Sequence, residues 1–338
     1  MSKLIIKIFP LIISLGVLFI SCTNNRDDDY DKENLSNEIK NAKVTEFNSF
    51  YFVGNNSGIP SIFKYDYVND TYKIFWHSDD ERVMDLLVSP DYKSAYFICK
   101  RKQRLKSSQP AIEKGRLYRI DFELNKADLI TQLEDGIQVI PFWTDNDRFT
   151  LIINSIDKTI ASYVNKNIQV YNRFGKLLSD NTEIFDLTKD GYPVTKFPSL
   201  NYKSPNGLFE VIEKKDSIYI RQQKSQKEIK TKFKSKKILQ LAWAENNKHL
   251  IILFKSYNVL TKNQTDQKKS ILAIYDLQLQ KTVKMFGTFE NNRFVLIGDF
   301  LIFDNSFGRD SYIEIFKLET LTDFKIIKIN GGCGLRNI

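Results

Sequence analysis

Residues 86–122, LLVSPDYKSAYFICKRKQRLKSSQPAIEKGRLYRIDF, read as strand, tight turn, strand, long basic loop and strand. Ser89-Pro90-Asp91-Tyr92-Lys93 makes the turn. Proline presets φ for a reversal, and an aspartate just after it can bond its own backbone. Residues 94–99 pack one face, and Leu117-Tyr118-Arg119-Ile120-Asp121-Phe122 alternates more cleanly, as a half-buried strand does.

Weaker copies of this unit run along the chain. Residues 50–53, 61–66 and 72–75 form the first, which spans 44–76. The opening stretch, completed by 127–133, is the second. Residues 139–143, 149–153 and 168–171 form the third, with Gly175 leading into its last strand. Residues 208–212 and 217–221 follow Ser204-Pro205-Asn206-Gly207 in the fourth. Residues 239–243, 249–254, 271–277 and 282–286 make the fifth, and 293–297, 300–304, 312–318 and 324–329 the sixth. The units recur every ~38 to 53 residues, a spacing that suits four-stranded blades with loops of varying length. With 25 Phe and 16 Tyr there is ample material for an all-β core. The expected fold is a β-propeller of six four-stranded blades over residues 44–338. Seven is the alternative, since the closing strand is not assignable from sequence.

Two features repeat. A polar turn joins the first two strands, and the third strand ends near aspartate, as in Tyr65-Asp66, Ile120-Asp121 and Tyr275-Asp276. The Ser-Pro-Asp/Asn turn followed by an apolar strand resembles the TolB-like propeller repeat, in which SPDGK-type turns recur. Blades two and four carry it best, with Tyr92 standing where the repeat has glycine. The resemblance implies a closed ring with no open sheet edge.

The N-terminus reads as an address. Lys3 and Lys7 precede an apolar run over residues 8–20 that is short for a membrane span and contains Pro10. It ends in Leu18-Phe19-Ile20-Ser21-Cys22, which resembles the lipobox of bacterial lipoproteins. That resemblance implies a signal peptide over 1–21, acylation of Cys22 and attachment to a membrane by the lipid. Residues 22–43 form an acidic, disordered tether on this reading. Asp27, Asp28 and Asp29 also resemble the export signal of surface lipoproteins in some Gram-negative bacteria. The address is then the cell envelope, on the outer membrane, with surface exposure if that signal acts. An ordinary secretory peptide and an uncleaved anchor are the other readings.

Catalytic residue types are thin. His77 and His249 read as turn or strand-edge residues, and no GxSxG nucleophile elbow is present. Asp85 and Glu245 are carboxylates on or near inner strands, with Asp145 or Asp147 at turns, and glycoside chemistry needs two such groups. The last three also suit turn positions. Asp85 is the candidate channel residue, because a blade's first strand lines the channel. Asp304-Asn305-Ser306-Phe307-Gly308-Arg309-Asp310 has a calcium-loop flavour without EF-hand spacing, so no metal and no cofactor are expected. The glycine-rich tail 330–334 reads as a flexible terminus or a flap over the ring. Cys99 and Cys333 are left open as a disulfide, because sequence does not fix their separation.

Charge carries more. The chain is +9, and its first 43 residues hold six basic and six acidic side chains, so the whole excess lies in the propeller. Lys100, Arg101, Lys102, Arg104 and Lys106 occupy the long loop of blade two, and Lys262, Lys268 and Lys269 the matching loop of blade five. The segment KSQKEIKTKFKSKK, residues 224–237, brings Lys234, Lys236 and Lys237 to a blade link. In a meander, the loops between second and third strands share a rim with these links. That rim is the candidate binding face for an anionic partner, a protein or an acidic glycan. A lysine-rich solubilising surface is the plainer reading. Nucleic acid is not expected, since no aromatic strand or recognition helix accompanies the charge. The expected function is non-catalytic binding or scaffolding. A polysaccharide hydrolase or lyase using channel carboxylates, and a structural subunit of an envelope complex, are the alternatives.

Overall fold

A computed structural model describes residues 48–101, 115–133, 138–156, 162–186, 188–189, 202–256, 270–288, 293–305 and 310–335. The signal peptide, Cys22 and the tether lie outside the described residues.

Six antiparallel sheets follow one another along the chain. Blade one contains β1 (Ser49–Asn56), β2 (Ile59–Asp66) and β3 (Thr71–Trp76). Blade two is β4 (Glu81–Val88), β5 (Ser94–Arg101), β6 (Gly115–Asp121) and β7 (Lys126–Gln132). Blade three is β8 (Gln138–Trp143), β9 (Arg148–Ile156), β10 (Tyr163–Asn172) and β11 (Leu177–Asp186). Blade four has β12 (Phe209–Lys214), β13 (Ser217–Gln222) and the first part of β14 (Glu228–Trp243), with a Lys203–Glu210 bridge on its inner side. The rest of β14 opens blade five, followed by β15 (His249–Ser256), β16 (Ser270–Asp276) and β17 (Lys281–Thr288). Blade six is β18 (Phe294–Ile297), β19 (Phe300–Asn305), β20 (Tyr312–Lys317) and β21 (Thr322–Lys328).

The ring closes with β22 (Cys333–Gly334), which pairs with β1 through Gly54–Cys333 and Val53–Gly334. It supplies the inner strand that blade one lacks, so the count is six. The tail read from sequence as a flexible end or a flap is therefore a structural strand. Asn55 holds it: its Nδ2 donates to Asn330 O at 2.8 Å, and its backbone N–H donates to Gly332 O at 3.1 Å. Gly331 has φ +89°, and a Cβ there would overlap the Asn55 amide.

A second expectation also changes. Residues Lys234, Ser235, Lys236 and Lys237 do not form a loop between blades. They lie inside β14, where Lys234 pairs with Ser217 of blade four and Ser235 with Ser256 of blade five. The chain passes from one blade to the next without leaving the extended conformation.

The repeating turns have a shared chemistry. In blade two, Ser94 N–H donates to Ser89 Oγ at 3.0 Å and Ser89 Oγ donates to Asp91 Oδ1 at 2.6 Å. Blade four repeats this with Phe209 N–H to Ser204 Oγ at 2.9 Å and Ser204 Oγ to Asn206 Oδ1 at 2.7 Å. At third-strand ends, Asp66 Oδ1 accepts the N–H groups of Val68 and Asn69, and Asp121 Oδ1 those of Glu123 and Leu124. Each aspartate satisfies turn N–H groups that no strand can reach.

Apolar side chains fill the seams between blades. Phe50, Phe52, Tyr65, Ile302 and Ile315 join blades six and one, while Val83, Phe97, Cys99 and Ile62 join one and two. Further clusters join two to three, four to five and five to six. Each fully buried Phe or Ile contributes roughly 1.5–3 kcal/mol, so these seams hold the ring. Outer strands such as β11 remain exposed along most of their length.

Candidate functional site: the channel and the loop-bearing rim

The connections β5–β6, β9–β10 and β15–β16 all leave from one end of the ring, as the meander requires. Lys100 and Arg101 end β5 there, Lys100 half-buried beside Gly115 and Arg101 exposed opposite Glu81. Lys237 is exposed at the same end, where β14 meets the end of β15. Lys234 and Lys236 share that position in backbone terms. Lys102, Arg104, Lys106, Lys262, Lys268 and Lys269 lie outside the described residues. The Glu81 carboxylate is held by Arg116 Nη1 at 2.8 Å and Tyr118 Oη at 2.9 Å.

Below the rim the channel is bridged. Asp85, on β4, is buried, accepts the Leu86 N–H at 2.9 Å, and faces Arg293 at the entrance to β18, with Oδ2 to Nη2 at 3.5 Å. Blades two and six are not neighbours, so this pair crosses the ring. Gln240 of β14 clamps the same strand, its Nε2 donating to Phe294 O at 2.6 Å and its Oε1 accepting the Phe294 N–H at 3.1 Å. Asp304 accepts the N–H of Arg293 at 3.3 Å and that of Leu335 at 2.5 Å. Its carboxylate thus ties the channel to the closing tail, which is a structural use of the stretch that looked like a calcium loop. Among the described residues no group of three or more His, Cys, Asp or Glu is placed to hold a metal ion.

The opposite end is crossed by Tyr92. Its backbone has φ +55°, the left-handed conformation that Gly207 adopts at the matching turn of blade four. A tyrosine there is strained, and its side chain shows what it gains. The hydroxyl donates to Leu296 O of blade six at 3.0 Å. Burial first, and then the charge of Glu245, push the phenol up to about 12, so it remains a donor.

Of the other candidate carboxylates, Asp145 shapes its turn and Glu245 is exposed just after β14. Asp145 binds Arg148 at 2.6 Å and accepts the Asp147 N–H at 2.9 Å, and the hydrogen bond from Arg148 holds its carboxyl pKa below the usual carboxylate range. Asp147 lies 3.6 Å from Arg173. His77 is exposed, while His249 is buried, its Nδ1 3.1 Å from Asn246 Nδ2. Burial lowers the His249 imidazole to about 4. Cys99 and Cys333 are both free and buried, so the disulfide left open by the sequence is absent.

Sequence reasoning found Asp85 but missed its partner Arg293 and the cross-ring role of Tyr92. The lost glycine at position 92 was the available signal for Tyr92. Nothing in the sequence around position 293 marks Arg293.

Fold and site together define a six-bladed propeller with a bridged channel and one end from which the long connections leave. No family model matches the chain, and no curated protein matches it. Solved structures similar to it include TolB from Acinetobacter baumannii, at 12% identity and a TM-score of 0.48, covering 85% of this chain and 65% of that one. A 6-phosphogluconolactonase, described as putative, from Bacteroides fragilis has 11% identity and a TM-score of 0.43 over 87% and 98% of the two chains. Oligogalacturonate lyase from Vibrio parahaemolyticus has 11% identity and a TM-score of 0.34 over 82% and 78%. The likeness is one of fold, and the chain spans about two thirds of the TolB chain's length.

Proposed function

We propose that this protein is a non-catalytic binding or scaffold ring of the bacterial cell envelope. It is tethered to a membrane through lipid on Cys22 and holds an anionic protein or glycan on the rim that carries Arg101 and Lys237. The observation that carries this reading is the asymmetry of the ring. The long connections leave from one end, where exposed cations also lie, and loops on a stiff scaffold are where binding usually resides. Lys102, Arg104, Lys106, Lys262, Lys268 and Lys269 add to that charge on the same sequence reading.

The channel argues against hydrolysis or elimination. Asp85, the carboxylate a glycosidase reading needs, is committed to a guanidinium and to its neighbour's N–H, and Tyr92 crosses the other end. A general acid or nucleophile there would first have to break the bridge.

The test is capture from solubilised envelope by the tagged full chain at low and high salt, alongside the Arg101→Glu/Lys237→Glu variant. A partner held at low salt, released by high salt and lost with the variant is the expected result. Capture that ignores both salt and charge reversal would overturn the basic-rim reading.

A further inference from the structure

We propose that the end of the ring opposite the loop-bearing rim lies against a lipid bilayer, with apolar turn tips set into the headgroup layer and the rim facing away from the membrane. The inference rests on the reading of the N-terminus as a lipid-bearing tether. The place where the described chain begins supports it. Asn48 stands at this end, its carbonyl accepting the Tyr67 N–H at 3.0 Å, and Ser49 opens β1 opposite Asp66. Residues 1–47, with the apolar run and Cys22, therefore join the ring on this side.

The connections at this end are short, and they carry apolar side chains into solvent. Among the described residues, every large apolar side chain that stands exposed in a connection between strands is found here. Val68, Leu124 and Phe174, at 74%, 74% and 70%, are the most exposed of all, and Leu279 joins them at 56%. They sit in the turns between third and fourth strands of blades one, two, three and five. Equivalent turns of a closed ring stand at one level. Three of these turns share a closer pattern. Leu124-Asn125-Lys126, Phe174-Gly175-Lys176 and Leu279-Gln280-Lys281 each place a left-handed residue, with φ +50°, +86° and +52°, between an apolar tip and an exposed lysine. One turn geometry thus sets an apolar tip near an ammonium group on three blades.

The arrangement selects the partner. A lone exposed leucine needs no explanation, but tips at the same turn on four blades do. Polar residues separate them, so they offer a folded protein no continuous apolar patch. A flat, yielding surface can take each tip by itself. At a bilayer interface the apolar side chain enters the boundary between headgroups and acyl chains, while a lysine two residues on reaches back to a phosphate. Lys126 already shares an exposed pair with Asp128 at 2.9 Å, and Glu123 and Glu319 stand exposed at turns of the same kind. The attraction is therefore to an apolar layer and not to net charge, and zwitterionic lipid is enough.

Fluorescent labels test the orientation, with the full chain reconstituted into phosphatidylcholine vesicles. Leu124→Cys and Leu279→Cys carry the label on the membrane side, and Ser57→Cys, in the exposed β1–β2 turn, carries it at the rim end. Wild type sets the background, since Cys99 and Cys333 are buried. A nitroxide placed near the lipid headgroups is expected to quench the labels at 124 and 279 severalfold more than the label at 57, at low and at high salt. Adding Val68→Ser/Phe174→Ser should weaken the quenching at 124 severalfold, with melting unchanged. Equal quenching at 57 and 124, in a chain that stays with the vesicles, would overturn the orientation and leave the tether standing. Quenching that vanishes in high salt, or that ignores Val68→Ser/Phe174→Ser, would overturn it as well. A chain that does not stay with the vesicles would overturn the tether and this orientation together.

Discussion

Asp85 and Arg293 meet in the channel from two blades that are not neighbours in the ring, Oδ2 to Nη2 at 3.5 Å. Their attraction acts as a strut: each side chain limits how far its own blade can lean outward. Removing one partner leaves the other buried without its counter-charge. Asp85→Ala is expected to cost about 1–3 kcal/mol in urea unfolding, since Arg293 keeps some contact with solvent. The double change Asp85→Leu/Arg293→Met should recover most of the loss. Additive costs in that cycle would mean that the pair is not coupled.

Ring closure gives a second expectation. Gly331 combines a left-handed backbone with no space for a Cβ beside Asn55. Gly331→Ala should destabilise the ring by about 2 kcal/mol or more, read as a lower melting temperature. Gly207→Ala is the control, because its φ is also positive but nothing lies within 4 Å of the added carbon. A loss as large in the control would locate the effect in the backbone and not in the Asn55 contact.

His249 makes stability depend on pH in a known direction. Its folded imidazole titrates at about 4, below the unfolded value near 6.5. As pH falls, the unfolded chain takes the proton first. The stabilisation is therefore full above about pH 6.5 and is lost as the pH falls toward 4. The total is about 3 kcal/mol. Melting curves from pH 7 to pH 4 should fall less steeply for His249→Gln than for wild type, and parallel curves would contradict this.

Thiol chemistry gives a direct check on the seams. Burial raises the Cys99 thiol well above its usual range, and raises Cys333 to about 11. Neither is a thiolate at neutral pH, and neither is accessible. Both should resist maleimide in the folded protein and react fully in denaturant. Rapid labelling of Cys99 in native conditions would show that the seam between blades one and two opens.

Much of this ring was legible from local chemistry. The Ser89 and Ser204 turns and the Asp66, Asp121 and Asp276 positions are written in short-range patterns, and each does in space what its residue type suggests. The β22 strand was not legible. A two-residue strand carries no periodicity, and its pairing with β1 is a contact between distant parts of the chain. The continuity of β14 was hidden for a different reason. Its lysines look like a solvated link, yet a strand at the edge of one blade can be as polar as a loop. Asp85 stood out as an odd carboxylate on an inner strand, whereas Arg293 could be recognised only once the ring had placed it opposite.

The tail also sets an order of events. Asn55 and Asn330, which join at the closure, lie 275 residues apart. While the chain is being made, blade one emerges early with its inner edge bare, and it must wait for all the other blades. No intermediate can satisfy that edge with the right strand until residue 334 has appeared. The penultimate stage is an open arc with an unpaired strand facing the channel, and a holding chaperone would serve best at that stage.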